Sequence, residues 1–306
     1  MRRQLARLML STLLLCAGAG LAQAQVSDDV VKIGVLTDIA GPASTPTGQG
    51  SVTAAQMAID DFGGTALGKP IQLISADHQL KPDIGAGIAR RWYDTEQVDL
   101  ILDVPVSSVG LAVQNVANEK HKLFITHSTG STDFHGKFCS PYTMQWVFDT
   151  RALAVGTGRE ITKRGGKTWF FITDNYAFGH ALEKDATQII EASGGKVIGS
   201  VKPPFATPEL SILITDVHAL GLKAAQGLLL TTSFYWDMDD ETRAWSKRYF
   251  EKLQRMPTMW QAGVYSATMH YLNAVKAAGT DAPEKVAEQM RKQPVNDFFS
   301  RNGRLR

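Results

Sequence analysis

Strand-like and helix-like stretches alternate along most of this chain, and that rhythm limits its folds more than any motif does. Residues 30–36 form a short apolar, β-branched run, which reads as a buried strand. Gly41-Pro42 breaks it, and Gly48 and Gly50 keep the next loop open. Residues 51–62 then place Ala54, Ala55, Ala58, Ile59 and Phe62 on one helical face, ended by Gly63-Gly64. The pattern continues with strands at 71–76, 100–104 and 123–126 and helices at 83–96 and 109–120. After the segment 140–150 it restarts: helix 152–164, strand 168–173, helix 179–193, strand 196–201. A strand is also expected over 226–232, and helices over 239–253, 259–278 and 282–292. Strands alternating with helices of this length imply βαβ units on parallel sheets, with right-handed crossovers. Two series imply an α/β protein of two Rossmann-like lobes joined by a hinge.

The N-terminus reads as a targeting segment. Arg2, Arg3 and Arg7 precede an apolar stretch at 8–17, and Ala22-Gln23-Ala24 is a small-x-small cleavage site. The apolar stretch falls short of the ~20 residues that span a bilayer, so a signal peptide over 1–24 is expected. Leu15 before Cys16 does not suit lipid attachment, which prefers a small residue there. Without the leader's three arginines, the 32 basic residues fall to 29 against 30 acidic ones, a net charge of −1. No polyanionic or nucleic-acid partner is implied. Only Cys139 then remains, too few for an internal disulfide, and it reads as a partly buried thiol.

In parallel sheets, ligands bind beyond the carboxyl ends of strands, at helix N-termini. That rule selects loops. After the strand at 100–104 comes Pro105-Val106-Ser107-Ser108; Ser108 suits an N-cap, and Ser107 offers a hydroxyl beside free backbone N–H groups. After 123–126 comes His127-Ser128-Thr129-Gly130-Ser131-Thr132-Asp133, small and polar. Two such loops can converge on one carboxylate, or each can be a capped turn. In the second series, Asp174 can cap a helix, and Tyr176 or Phe178 can cover an apolar ligand body. Phe234 reads as core, while Tyr235 and Trp236 carry polar handles suited to a cleft or hinge.

Enzyme signatures are missing: no GxSxG, HExxH, Walker loop or CxxC occurs. Gly156-Thr157-Gly158 lacks the third glycine of a dinucleotide fingerprint. The histidines show no metal-ligand spacing, and most are expected at the surface; His127 alone sits in a candidate loop. No catalytic residue, metal or cofactor is expected.

Several blocks resemble the periplasmic substrate-binding proteins of branched-chain amino-acid (leucine-binding type) ABC transporters, with the type I periplasmic-binding fold. They are Val31-Lys32-Ile33-Gly34-Val35-Leu36-Thr37-Asp38 with Gly41-Pro42, Ala54-Ala55-Gln56-Met57-Ala58-Ile59-Asp60-Asp61-Phe62-Gly63-Gly64, and Asp77-His78-Gln79 with Lys81-Pro82-Asp83. Tyr176-Ala177-Phe178-Gly179 and Pro294-Val295-Asn296-Asp297-Phe298-Phe299 extend the likeness over nearly the whole mature chain. The resemblance implies a clamp of two lobes. The ligand carboxylate is then bound by a serine loop, here Ser107, and by a second loop, here Thr129, Gly130 and Ser131, under the aromatic Phe178. Gly130, Phe134 and His135 stand where that family usually has Ala, Leu and Thr.

The resemblance also implies a longer second lobe. Pro208-Glu209-Leu210 runs almost directly into Ile212-Leu213-Ile214-Thr215-Asp216, where the family carries several tens of further residues, and the sequence stops at Gly303-Arg304-Leu305-Arg306 before a further family strand. The expected organisation is lobe one over 25–144 plus 256–306, and lobe two over 145–255, shortened internally near 209–212. The expected function is periplasmic, non-enzymatic capture of an amino acid or related small carboxylate for delivery to a membrane permease. Alternatives are a sensory protein of the same fold, an exported enzyme of unknown chemistry, and a defective copy that folds poorly.

Overall fold

The structure is a computed structural model and describes residues 26–204 and 231–305. The leader with Cys16, His218, most of the strand expected over 226–232 and the shortening near 209–212 lie outside the described residues.

The first lobe is built on a six-stranded sheet. Its strands are β1 (Val31–Thr37), β2 (Thr65–Ala66), β3 (Lys69–Asp77), β4 (Leu100–Asp103), β5 (Leu123–Thr126) and β6 (Thr143–Gln145). Their order is β2-β3-β1-β4-β5-β6, and all pair in parallel except the short β2, which runs against β3. β6 lies inside the segment read from sequence as a bare connection. With three residues and only Met144 fully buried, it carries too little pattern to be seen.

Alternation across the pleat assigns side chains to two cores. Ile33, Val35, Leu100, Leu102, Leu123 and Ile125 share one cluster with α1 (Gly48–Phe62), α6 (Asp240–Leu253), α7 (Met259–Ala278) and α8 (Pro283–Lys292). Leu36, Ile101 and Phe124 point the other way, toward α2 (Pro82–Asp94) and α3 (Ser107–Lys120). Both faces are therefore covered, which is why these strands read as unbroken apolar runs. Gly34 leaves the space that the ring of Trp92 fills.

The second lobe has a parallel pair, β7 (Thr168–Ile172) and β8 (Lys196–Val201). Around it lie α4, continuous through Thr150–Leu153, the π-helical turn Ala154–Arg159 and Glu160–Lys163, and α5 (Ala177–Ala192). Ala154, Ala186, Ile189 and Ile190 pack with Trp169, Phe171 and Val197 on one side of the pair. The opposite side carries Phe170, Ile172 and Ile198, which are 54%, 66% and 59% exposed. Among the described residues this sheet has two strands.

One boundary differs from the sequence reading. Residues 234–253, assigned there to lobe two, pack on lobe one: Phe234, Trp245 and Tyr249 join its core. Arg248 donates to both carboxylate oxygens of Asp61 on α1, at 2.6 and 2.9 Å. Helical periodicity locates α6 but does not name its packing partner.

Candidate ligand-binding site

The parallel strands of lobe one all end at the same edge, and their loops meet there. At β1, the buried carboxylate of Asp38 accepts the N–H groups of Gly41 (2.9 Å) and Ala43 (2.8 Å), which folds the chain back. Gln261 of α7 anchors the same loop by donating to the Thr47 carbonyl at 3.2 Å.

The β4–α3 connection is backbone-strained. Asp103, Val104 and Val106 all have positive φ, at 77°, 58° and 74°. Valine avoids this region because its branched Cβ crowds the backbone, and such residues cost of order 1–3 kcal/mol each. The strain is held by packing: Val104 is fully buried in the second core. Ser107 becomes the first residue of α3, with Val106 at the N-cap and no side-chain cap. The N-cap role expected for Ser108 is therefore not realised, and Ser108 sits inside the first turn.

The loop after β5 lies against this one. Ser131 donates its backbone N–H to the Ser107 hydroxyl at 3.4 Å, and both residues are buried. Thr129 is also buried, its hydroxyl bonded to that of Thr126. Ser131 caps a short 3-10 turn (Thr132–Phe134) by accepting the Asp133 N–H at 3.2 Å. The two loops singled out from sequence thus touch each other.

Aromatic rings close over it. A Cβ on Gly130 would stand 2.6 Å from both Phe148 and Phe178, so glycine is what lets these rings approach the loop. Phe148 meets Phe178 edge-on at 6.5 Å and Trp260 at 6.3 Å, and Tyr176 lies 6.1 Å from Phe178. Tyr176, not Asp174, stands at the N-cap of α5, and burial, with Asp174 nearby, raises its phenol pKa. Gly179 is needed because a side chain there would collide with the Asp174 carbonyl. Phe148 and Trp260 carry no sequence signal of their own; only the fold brings them here. The indole N–H of Trp260 is buried and unpaired among the described residues.

Tyr235 is half exposed, its ring 5.6 Å from Trp236, which packs on the core of lobe one. Phe234 is core, as expected.

Beneath the loops lies a buried polar layer. Asp103 accepts the hydroxyls of Thr37 and Ser128, each at 2.8 Å, and burial nonetheless raises its pKa to about 6. His127 is held neutral, its pKa pushed down to about 3 by burial. His78 and His270 are buried too, whereas His121, His135 and His180 are exposed, so the surface placement expected for most histidines fails for half of those described. Cys139 is exposed rather than partly buried. Among the described residues no group of acids, histidines or cysteines is arranged to hold a metal, and no helix is long and apolar enough to cross a membrane.

The profile of the periplasmic binding protein family matches residues 30–216 and 209–306. The chain belongs to this family. Its fold is the type I periplasmic-binding fold. Solved family members extend the match. A periplasmic binding protein from Burkholderia mallei is 39% identical, with a TM-score of 0.86, covering 90% of this chain and 87% of the other. A branched-chain amino-acid ABC transporter periplasmic ligand-binding protein from Burkholderia xenovorans is 34% identical, with a TM-score of 0.81, covering 90% and 86%. A solute-binding protein from R. palustris, solved in complex with benzoate, shares the fold at 18% identity and a TM-score of 0.75, covering 88% and 87%. No curated protein matches the chain. The two stretches matching the family profile meet at residues 209–216, where the sequence reading puts the internal shortening.

Proposed function

We propose that this protein is the exported, non-enzymatic solute-binding component of an ABC transporter, and that it captures a small carboxylate between its lobes. The observation that carries this reading is the meeting of the Ser107 and Ser131 loops directly beneath the Phe148 and Phe178 rings. Hydroxyls and free N–H groups at a helix start suit an anion. The rings suit an apolar or planar body, and no bond needs to be made or broken. Ser107, Ser108, Thr129, Gly130 and Ser131 supply the lobe-one side; Tyr176 and Phe178 supply the lobe-two side. The leader at 1–24 would direct the chain to the periplasm, where a membrane permease receives the ligand.

The relatives favour either a branched-chain amino acid or an aromatic acid. The test is a thermal-shift screen against L-leucine, L-valine and benzoate. A binder at a hundred times its Kd stabilises the fold by about 2.7 kcal/mol and raises the melting temperature. A flat response across amino acids and small carboxylates removes the reading. It would favour the defective copy, for which the broken family match and the bare face of β7–β8 are the supporting observations.

A further inference from the structure

Asp185 lies on α5, seven residues after Phe178 and so on the same helical face two turns along. It is only 5% exposed. Its Oδ2 accepts the hydroxyl of Thr132 at 3.0 Å and also the hydroxyl of Thr150. Thr132 follows Ser131 in the lobe-one loop, and its own N–H donates to the Thr150 hydroxyl at 3.3 Å. Thr150 opens α4 and donates its N–H to the Gly130 carbonyl at 2.6 Å. A continuous set of hydrogen bonds therefore runs from the loop under the aromatic rings to a carboxylate on the second lobe.

An ionised carboxylate taken from water is costly unless hydrogen bonds replace its hydration. Among the described residues Asp185 has no ion-pair partner, so the two threonine hydroxyls are what replace it. One of them arrives from the other lobe. We propose that Asp185 is an interlobe latch: a positioning residue that ties the Gly130–Thr132 loop to α5 and biases the lobes toward the closed arrangement. The proposal deepens the capture reading, because a loop held in this way is set for a ligand before one arrives. Its test needs no ligand, so failure of the capture reading leaves the result standing.

The experiment measures interlobe distances on the full chain by paired spin labels. Cysteines replace exposed Asn115 on lobe one and exposed Lys196 on lobe two, in a Cys139→Ser background. Asp185→Asn and Thr132→Val should each move the distribution to longer separations. The expected shift is about tenfold in the closed-to-open ratio, the effect of one hydrogen bond to a charged group. The double variant should shift no further than either single one, and Thr132→Ser, which keeps the hydroxyl, should match the parent. Should Asp185→Asn fail to fold, Thr132→Val carries the test alone, since it leaves the bond to Thr150 in place. A lowered melting temperature with unmoved distances would make Asp185 a support of the second lobe only and overturn the latch; additive shifts would overturn it as well.

Discussion

The Nδ1 of His127 accepts the backbone N–H of Asp103 at 3.2 Å, joining the end of β4 to the residue after β5 beneath the crevice. An imidazole that accepts at Nδ1 carries its proton on Nε2, and here that N–H is buried and unpaired among the described residues. Burial therefore opposes a second proton and depresses the pKa to about 3, from the ordinary 6.5. The unfolded chain takes up a proton near pH 6.5 and the native chain does not, so this residue's contribution to stability is lost as pH falls from about 6.5 toward 3. His127→Asn keeps an acceptor for Asp103 and removes the titration. Relative to the parent, it should gain on the order of 2 kcal/mol between pH 7 and pH 5. Urea unfolding at the two pH values checks this; equal differences at both would show that His127 titrates normally.

Asp103 works in the opposite direction. Its native pKa of about 6 lies above the ordinary 3.8, so its contribution is present in acid and is lost as pH rises from about 4 through 6. Asp103→Asn should therefore lose more stability relative to the parent at pH 4 than at pH 7, the reverse of the trend at His127. The same urea series reads both, and parallel trends in the two variants would refute the assignment of burial as the common cause.

Ser107 and Ser131 present hydroxyls at the crevice from two successive strand ends. Each bond to a bound carboxylate is charge-assisted, so Ser107→Ala or Ser131→Ala should weaken binding by about 1 kcal/mol or more. Ser131 also caps the 3-10 turn, and the Ser107 hydroxyl accepts the buried Ser131 N–H, so both variants should lose stability as well. Calorimetry with whichever of L-leucine or benzoate stabilises the parent measures the first effect, and unchanged affinity in both variants would remove these serines from the site.

Much of this architecture is legible in the sequence because β-branched runs and glycine stops are local signals. The strand at 123–126 and the helix at 259–278 fall where the pattern puts them, and α7 is further marked by the Thr258–Gln261 capping box. What escapes is set by tertiary context. Phe148 and Trp260 reach the crevice from sequence-distant elements, and Asp185 looks like an ordinary polar residue until Thr132 and Thr150 are seen around it. Tyr235 and Trp236 show how little a ring with a polar handle fixes: the first is half exposed, and the second packs on the core of lobe one. The strained valines 104 and 106 carry no warning in sequence, since β-branched residues are poor choices for positive φ.

Gly130 should tolerate no side chain. Its Cβ would come within 2.6 Å of two aromatic rings, so Gly130→Ala must displace Phe148 or Phe178. Overpacking of this kind costs about 1–3 kcal/mol. Because the displaced rings form the wall of the crevice, binding should fall more than global stability does. Intrinsic fluorescence of the neighbouring Trp260 reports the movement, and an unshifted emission with unchanged affinity would mean that the rings do not close over this loop.

The outer side of β7–β8 should govern how the protein behaves at high concentration. Phe170 and Ile172 alternate with Trp169 and Phe171 along β7, so one pair is packed against the lobe-two helices and the other faces outward. Ile198 adds to the outward set from β8. Apolar side chains exposed together on adjacent strands form a sticky surface. Ile172→Thr with Ile198→Thr keeps the β-branched shape that suits a strand while removing apolar area. The double variant should bind less of a hydrophobic dye and stay monomeric to higher concentration, with an unchanged circular dichroism spectrum. Light scattering across a concentration series decides the matter: identical association by parent and variant would show that this face is not the one responsible.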